Sequence, residues 1–276
     1  MQTRYESSPR EVATMHTDEL RNNFLVENLF RPEEVELVYS HYDRMVIGGV
    51  MPIHQAILLP NPDALKAEFF LERRELGIIN IGGAGQVTVD SIVYKLDKMD
   101  CLYVGKGVQT IFFESVDEAN PAQFFLLSAP AHVSYPTRLL PQEDAATQQL
   151  GALETANQRT IYKYIHPDGI ASCQLVMGLT VLEPGSVWNT MPPHTHDRRM
   201  EVYLYFDVQA NQQVMHVMGQ AQETRHIWVS NQQAVISPPW SIHAGCGTTH
   251  YAFIWGMAGE NQAFTDMDFI STAELR

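Results

Sequence analysis

The segment from Pro192 to Phe206, PPHTHDRRMEVYLYF, combines two histidines, a polar turn and an alternating apolar run. His194 and His196 are two residues apart, so on an extended chain their side chains point to the same face. Glu201 lies five residues beyond His196, which would place it on the opposite face of a continuous strand. The segment 197–199 must therefore turn if the three side chains are to converge.

Glu201 also begins a strand pattern in which it shares one face with Tyr203 and Tyr205. A carboxylate that faces the interior of a barrel is costly unless a cation compensates its charge. The later segment SPPWSIH ends in His243, a third imidazole. Three imidazoles and one carboxylate suit Zn, Fe, Mn, Co or Ni, so the set predicts a metal site without fixing the metal.

Any single one of the 11 histidines is more simply explained as a strand-end residue or a hydrogen-bonded core residue. The combination of His194, His196, Glu201 and His243 is harder to explain in that way. We therefore interpret these four residues together as metal ligands.

Short β-rich runs on either side of the segment predict the fold class. MVIGGVM, LGIINI, QVTVD, IVYKL and CLYVG occupy the first half, and CQLVMGLTVL, EVYLYF, VMHVMG, HIWVS and HYAFIWGM occupy the second. No helical pattern separates the runs within either half. Several closely spaced strands of this kind are typical of sandwiches and small barrels. We therefore predict an all-β protein with two tandem barrels.

The two halves also look like copies of one another. LERREL (71–76) recurs as HDRRMEV (196–202), and aligning the two Arg-Arg pairs offsets the halves by 125 residues. Phe69 and Leu71 then match His194 and His196. We predict a metal site in the second barrel and a first barrel that lacks metal ligands.

The N-terminal residues read as a short helical segment. Thr17-Asp18 is placed to cap ELRNNFLV, and Pro32-Glu33-Glu34 suits the first turn of a second helix. A polar stretch after Ser134 reads as a linker. The predicted division is a helical segment 1–42, a barrel 43–133, a linker 134–160 and a metal-binding barrel 161–276.

Composition excludes several classes of protein. The net charge is −14 without a run of Lys or Arg, which argues against a nucleic-acid partner. The cysteines, Cys101, Cys173 and Cys246, form no CxxC pair and predict neither a disulfide framework nor a cysteine zinc site. No stretch is apolar enough to suggest a signal peptide or a membrane span, so we expect a soluble, cytoplasmic protein without a membrane partner.

The metal-ligand pattern resembles the cupin superfamily. Gly185 and the HTH-x4-E run of residues 194–201 match its first motif, and Pro238-x-Trp240-x-x-His243 matches its second. Trp240 stands where the superfamily has glycine. This departure predicts either a different turn or a bulky wall beside the metal.

Longer segments resemble a specific cupin family, the 5-keto-4-deoxyuronate isomerases of bacterial pectin breakdown. They run along almost the whole chain and include FLVENLF, FLERRELGIINIGGAG, WNTMPPHTHDRRMEVYLYF, GQAQETRHI and AVISPPWSIHAG. The resemblance implies a bicupin homohexamer that holds one Zn²⁺ per subunit. It also implies a small anionic sugar substrate and interconversion of 5-dehydro-4-deoxy-D-glucuronate and 3-deoxy-D-glycero-2,5-hexodiulosonate.

Such an isomerisation moves a proton between neighbouring carbons through an enediol, and bound zinc would polarise the oxygens. For the proton-transferring group we consider Glu223 first, then His216 and His226. Each also has an ordinary structural role open to it, as a hairpin surface charge, a hydrogen-bonded core residue and a strand-end residue respectively.

Arginine is the natural partner of the substrate carboxylate. The candidates are Arg198, Arg199 and Arg225. Because Arg73 and Arg74 occupy the matching positions of the first half, a structural role for the Arg-Arg pair stays open.

Three alternatives use the same ligand set. They are an Fe(II) bicupin dioxygenase, a non-catalytic sugar-binding or storage bicupin, and an isomerase of another uronate or deoxy-sugar. The intact ligand set argues against the second, whereas metal content and oxygen consumption separate the first from an isomerase.

Overall fold

The computed structural model describes residues 1–262 and 266–276. In chain order its first half contains β1 (Gln2–Arg4), α1 (Pro9–Val12), α2 (Thr17–Phe24), β2 (Leu25–Val26), β3 (Val35–Ser40), β4 (Val46–Val50), β5 (Ile57–Leu58), β6 (Arg74–Asn80), β7 (Gly85–Val89), β8 (Ile92–Leu96), β9 (Cys101–Val104), β10 (Ile111–Ser115), β11 (Phe124–Pro130) and β12 (Arg138–Leu140). The second half contains β13 (Ala146–Leu150), β14 (Arg159–Ile165), β15 (Val176–Leu182), β16 (Trp188–Asn189), β17 (His194–Thr195), β18 (Arg199–Phe206), β19 (Val214–Gln220), β20 (Glu223–Val229), β21 (Gln233–Ser237), β22 (Ala244–Gly247), β23 (Ala252–Gly259) and β24 (Asp268–Phe269).

Each half pairs a large sheet with a small one. The first large sheet has the order β1-β3-β4-β11-β6-β9-β12 and the second the order β13-β14-β15-β23-β18-β21-β2. The small sheets are β5-β10-β7-β8 and β16-β22-β19-β20. The five central strands of the large sheets and all four strands of the small sheets correspond one to one. The all-β, two-barrel prediction is confirmed, and we call the halves the N-terminal and C-terminal barrels.

Strand register shows which positions of the two barrels match. On β6, Leu76 lies opposite Val104, the last residue of β9. On β18, Glu201 lies opposite Ser237, the last residue of β21. Leu76 and Glu201 therefore occupy the same place in their barrels, which agrees with the 125-residue offset.

The helix predicted from Pro32 onward is wrong, because residues 35–40 form β3. The φ angle of Glu33 is +62°, a left-handed conformation that does not start an α-helix. From Val35, apolar and polar side chains alternate in part, and the segment pairs with both β1 and β4. Tertiary pairing thus outweighs the helical signal of the Pro-Glu-Glu start.

The other predicted helix is present as α2. His16 precedes it, and the backbone N–H of His16 donates to the Glu19 carboxylate over 2.8 Å. The helix ends at Phe24 because the chain continues into β2, which pairs with β21 of the C-terminal barrel. The N-terminal segment is therefore fastened to both barrels, to the first through β1 and to the second through β2.

The predicted linker contributes edge strands to both large sheets. β12 pairs with β9, and β13 pairs with β14. β14 itself begins at Arg159, inside the predicted linker. The division into four segments stays an interpretation, but the chain between the barrels is strand-forming rather than loose.

The two large sheets pack against each other through their outer faces. A Cβ atom at Gly77 would lie 2.7 Å from side-chain atoms of Ile165 and Met177. The buried Glu75 carboxylate accepts hydrogen bonds from the Tyr103 hydroxyl and from three successive backbone N–H groups of residues 173–175, at 2.7–2.8 Å. Close glycine contacts and this carboxylate hold the barrels together.

The interior of the N-terminal barrel is filled with apolar side chains. Leu37, Leu76, Ile78, Val104 and Leu126 belong to one cluster and are at most 3% exposed. Such packing is typical of a core rather than of a site. Among the described residues, no helix is long and apolar enough to cross a membrane.

Candidate metal centre

The chain turns between the two histidines and the glutamate, as the odd spacing predicted. β17 ends at Thr195, residues 197 and 198 form a turn, and β18 begins at Arg199. The Arg199 backbone N–H donates to the carbonyl of His196 over 3.2 Å, which closes the turn. Glu201 therefore enters the barrel on the same side as the histidine pair.

Four side chains converge in the C-terminal barrel. The ligand atoms of His194, His196, Glu201 and His243 all lie within 4.8 Å of one another. Glu201 Oε2 lies 3.1 Å from His196 Nε2 and 3.0 Å from His243 Nε2. The Nε2 atoms of His243 and His194 are 3.0 Å apart. All four predicted ligands are therefore brought together.

The donor set fits one small divalent cation. Ligands of a tetrahedral zinc ion lie roughly 3.3 Å from one another, close to the observed spacings. The other ring nitrogens are held from behind, because His196 Nδ1 lies 2.9 Å from the Arg199 carbonyl and His243 Nδ1 lies 3.3 Å from Ser237 Oγ. Such contacts orient the Nε2 lone pairs of metal-binding histidines.

Electrostatics favour a neutral His194 and an anionic Glu201 in the cluster. Burial and the neighbouring His243 lower the pKa of His194 to about 3, which leaves its imidazole neutral. Burial raises the pKa of Glu201, but the surrounding imidazoles outweigh it and hold that pKa well below its ordinary range. Burial lowers the pKa of His196, but its hydrogen bond with Glu201 reverses the shift. A buried anion among imidazoles is an environment suited to a cation.

A cavity of about 500 Å³ opens onto the cluster. Three residues of the cluster, His194, His196 and Glu201, form part of its wall. The rest comes from β13, β14, β15, β18 and β23, from the loop 190–192 and from the C-terminal segment, and includes Arg159, Ile161, Lys163, Tyr203, Phe253, Trp255, Met257, Met267 and Phe269. Its volume lies within the usual range for small-molecule sites.

Trp240 does not form a wall beside the metal ligands. Its indole N–H donates to the Ser7 carbonyl over 3.2 Å, and the ring packs against the main core. The segment after Pro238 still brings His243 into the barrel, where it is fully buried. Trp240 therefore lies on the side of the turn away from the cavity, and His243 still reaches the cluster.

The three residues predicted to transfer protons lie in different places. Glu223 and His226 are exposed on β20, outside the cavity wall. His216 is buried inside the barrel, where the Tyr205 hydroxyl lies 2.8 Å from its Nδ1 and its Nε2 has no hydrogen-bond partner among the described residues. Burial lowers the pKa of His216 to about 3, so this imidazole is neutral.

The three predicted arginines are engaged by protein groups. Arg198 is exposed and pairs with Glu260 at 3.6 Å, and Arg225 pairs with Glu223 at 2.8 Å. Arg199 lines the cavity, but its Nη1 contacts both carboxylate oxygens of Asp266 at 2.7 and 2.8 Å. The charge of Arg199 is thus compensated within the protein.

The matching arginine of the N-terminal barrel is equally buried. Arg74 donates to the side chain and the carbonyl of Ser128 on β11. Arg199 contacts Met257, the residue at the corresponding position of β23. The inner arginine of each pair therefore tethers neighbouring strands, which supports the structural interpretation of the repeat.

Sequence reasoning missed two cationic residues of the cavity wall. Arg159 and Lys163 lie on β14, at the boundary predicted between linker and barrel. The run RTIYKYI carries a usable signal, because the period of two places Arg159, Ile161 and Lys163 on one face.

Known proteins are similar to this chain in sequence and in fold. The KduI/IolB family model matches residues 24–272. A protein of Shouchella clausii named 4-deoxy-L-threo-5-hexosulose-uronate ketol-isomerase is 57% identical over 276 residues, which is 100% of both chains. A protein of Yersinia enterocolitica with the same name is 54% identical over 264 residues and 95% of each chain.

Solved structures with little sequence similarity share the architecture. An IolB-like protein from Salmonella typhimurium LT2 superposes with a TM-score of 0.72 at 14% identity, over 90% of this chain and 97% of its own. A mutant of Bacillus subtilis oxalate decarboxylase gives a TM-score of 0.56 at 9% identity, over 79% and 70% respectively. These likenesses concern the fold alone, whereas the family match and the full-length relatives show that the chain belongs to the KduI/IolB family.

Proposed function

We propose that the chain is a metal-dependent ketol-isomerase that converts 5-dehydro-4-deoxy-D-glucuronate to 3-deoxy-D-glycero-2,5-hexodiulosonate. The observation that carries this proposal is the buried His194, His196, Glu201 and His243 cluster at the wall of a cavity. The names of full-length relatives supply the reaction. The proposal includes one Zn²⁺ per chain, held by these four residues.

The reaction needs a polarised carbonyl and a group that moves a proton between adjacent carbons. A bound zinc ion supplies Lewis acidity toward the substrate oxygens. The protein supplies the anionic Glu201 and three imidazoles as ligands. His194, His196 and Glu201 also line the cavity, so the metal would face the bound substrate. The aromatic rings of Tyr203, Phe253 and Trp255 form part of the cavity wall and would limit access of water to the reacting carbons.

For proton transfer, position favours His216 among the three predicted residues. Its ring lies 5.7 Å from that of Tyr203, which lines the cavity and is itself 5.4 Å from the His243 ring. Its Nε2 is a buried polar atom without a hydrogen-bond partner among the described residues, so it can bond a water molecule. Glu223 and His226 stay predictions without a contact to the cavity wall.

Assembly and location extend the proposal. By resemblance we propose a homohexamer that works in the cytoplasm on a small anionic sugar, with the N-terminal barrel contributing to subunit contacts. Sedimentation of the purified protein tests the hexamer. Substitutions on exposed apolar residues of the N-terminal small sheet, such as Ile92 and Val93, should disturb assembly if that barrel forms contacts.

The experiment that tests the function is NMR of purified protein with 5-dehydro-4-deoxy-D-glucuronate, with metal content measured on the same sample. Formation of the 2,5-diulosonate with zinc bound supports the proposal. Bound zinc without turnover would redirect the search to other uronates. Iron together with oxygen consumption would contradict isomerisation and favour a dioxygenase.

A further inference from the structure

The cavity wall contains three cationic side chains, and they differ in how their charges are compensated. Arg199 pairs with Asp266 through both carboxylate oxygens. Lys163 reaches Asp168 only at 3.5 Å, and Asp168 is largely exposed. Exposed pairs at this distance contribute little. Arg159 differs from both.

Arg159 has no acidic partner among the residues that the structure describes. Its Nη1 donates to the Asn157 carbonyl over 2.8 Å, a neutral acceptor. Burial lowers the pKa of Arg159, and the ionisable groups that act on it are the hydroxyls of Tyr203 and Tyr251. A guanidinium remains charged under such conditions, so the cavity wall contains a positive charge that no acidic side chain among the described residues contacts.

Arg159 faces the same space as the metal ligands. It precedes Ile161 and Lys163 on one face of β14, and all three line the cavity together with Glu201 and His194. Tyr203 lies between Arg159 and the metal ligands. It is within electrostatic reach of Arg159, and its ring contacts that of His243. One bound molecule can therefore touch both the cluster and the guanidinium.

The N-terminal barrel has no such charge at the matching places. Register across the sheets matches Lys163 with Leu37, since Lys163 pairs with Gly178 and Leu37 pairs with Gly48. Four residues earlier in each barrel, Arg159 matches Glu33. The Glu33 carboxylate accepts hydrogen bonds from the backbone N–H groups of Ile53 and His54. The positive end of the cavity thus occurs only where the metal cluster occurs, within the described residues.

We propose that Arg159 binds the carboxylate of the sugar-acid substrate, with Lys163 adding charge beside it. This inference rests on the proposed function, because it concerns the anionic group of that substrate. A guanidinium presents paired N–H donors that match the two oxygens of a carboxylate. Arg159 would then orient the sugar so that its opposite end faces the cluster, and act as a specificity determinant rather than in proton transfer.

The test compares Arg159→Gln with Arg198→Gln on the zinc-loaded, full-length protein. Arg198 is the matched control because it is exposed, pairs with Glu260 and lies outside the cavity wall. For Arg159→Gln we expect KM for 5-dehydro-4-deoxy-D-glucuronate to rise about tenfold or more, with kcat within about threefold and metal content unchanged. Arg159→Lys should recover part of the affinity, and Arg198→Gln should behave as wild type.

An unchanged KM in Arg159→Gln would overturn the assignment. So would a rise in KM that occurs in Lys163→Gln but not in Arg159→Gln. A fall in kcat with an unchanged KM would equally contradict a binding role, because it would place Arg159 in the chemical step.

A second measurement separates this inference from the reaction itself. If the wild-type protein does not turn over the substrate, the proposed function fails. The role of Arg159 is then tested separately, by calorimetric measurement of the binding of D-galacturonate and of its neutral C6 amide. A preference for the acid of about tenfold that Arg159→Gln removes supports the assignment. A preference that persists in the variant, or is absent from the wild type, overturns it.

Discussion

The two barrels share strand order and register but differ at the positions that face their interiors. Leu76 of the N-terminal barrel occupies the place of Glu201, and Ile78 that of Tyr203. Aliphatic residues in the first barrel close a core, whereas the second barrel places a polar four-residue cluster at the wall of a cavity that is otherwise lined largely by apolar and aromatic side chains. The same fold therefore accommodates either an apolar core or a site, and a few inward-facing positions determine which of the two a barrel contains.

What the barrels share is as informative as what separates them. Arg74 and Arg199 both tether neighbouring strands from matching positions. A residue type present in both barrels thus serves the fold, and one confined to the C-terminal barrel is a candidate for function. Four sets of substitutions test this comparison of the barrels.

The largest effect is expected from giving the C-terminal barrel the residue of its counterpart, Glu201→Leu. Removing the anionic ligand should abolish metal binding and lower kcat/KM for the uronate at least about a thousandfold, or ~4 kcal/mol. Metal analysis and NMR kinetics measure both effects. Leu76→Met is the matched control and should preserve metal and activity, since the swap nearly conserves volume. A variant that kept its activity would remove Glu201 from the site.

The reciprocal substitution, Leu76→Glu, should damage the fold without creating a site. It places a carboxylate in an apolar core that also contains Leu71, and Phe69 and Leu71 occupy the positions that match the two histidines. We expect a loss of about 3–4 kcal/mol in the free energy of unfolding, measured by urea denaturation. A second bound metal ion, or unchanged stability, would contradict the structural role of this barrel interior.

The contact between the barrels is tested by Glu75→Gln. The carboxylate accepts four hydrogen bonds, three of them from backbone N–H groups of the C-terminal half. An amide accepts fewer and weaker bonds, so we expect a loss of about 2–3 kcal/mol in unfolding free energy with metal content unchanged. Loss of metal at retained stability would instead couple this carboxylate to the site.

The smallest effect is expected at the outer arginines, Arg73 and Arg198. Both are exposed, with side chains 59% and 67% accessible, and their ion pairs lie on the surface. Arg73→Gln and Arg198→Gln should each change unfolding free energy by less than about 0.5 kcal/mol and leave kinetics unaffected. A marked rise in KM for Arg198→Gln would restore the substrate-binding role considered for it from the sequence.

The sequence predicted the metal cluster well because its residues are chemically unusual. Two histidines at i and i+2, an inward glutamate and a later histidine rarely serve a barrel core unless they bind a cation, and the turn at 197–198 followed from their spacing. The repeat also predicts that the first barrel lacks metal ligands, and the cluster found among the described residues lies in the second barrel. These inferences needed only side-chain chemistry and the period of a strand.

The first strand of each barrel was missed for physical reasons. β3 follows a helix-like Pro-Glu-Glu start, and β14 emerges from a polar stretch, so local signals pointed elsewhere. Only pairing with neighbouring strands makes them strands. Because Arg159 and Lys163 lie on β14, the same error concealed the positive side of the cavity. Placing Glu223 and His226 outside the cavity likewise required the path of β20.

The measurement that tests the account most directly is the number of metal ions per chain, determined on native protein and on His196→Ala. The account predicts about one zinc ion per chain in the native protein and none in the variant, with isomerase activity lost in parallel. Two metal ions per chain, or metal and activity that survive in His196→Ala, would contradict the assignment of chemistry to the C-terminal barrel alone.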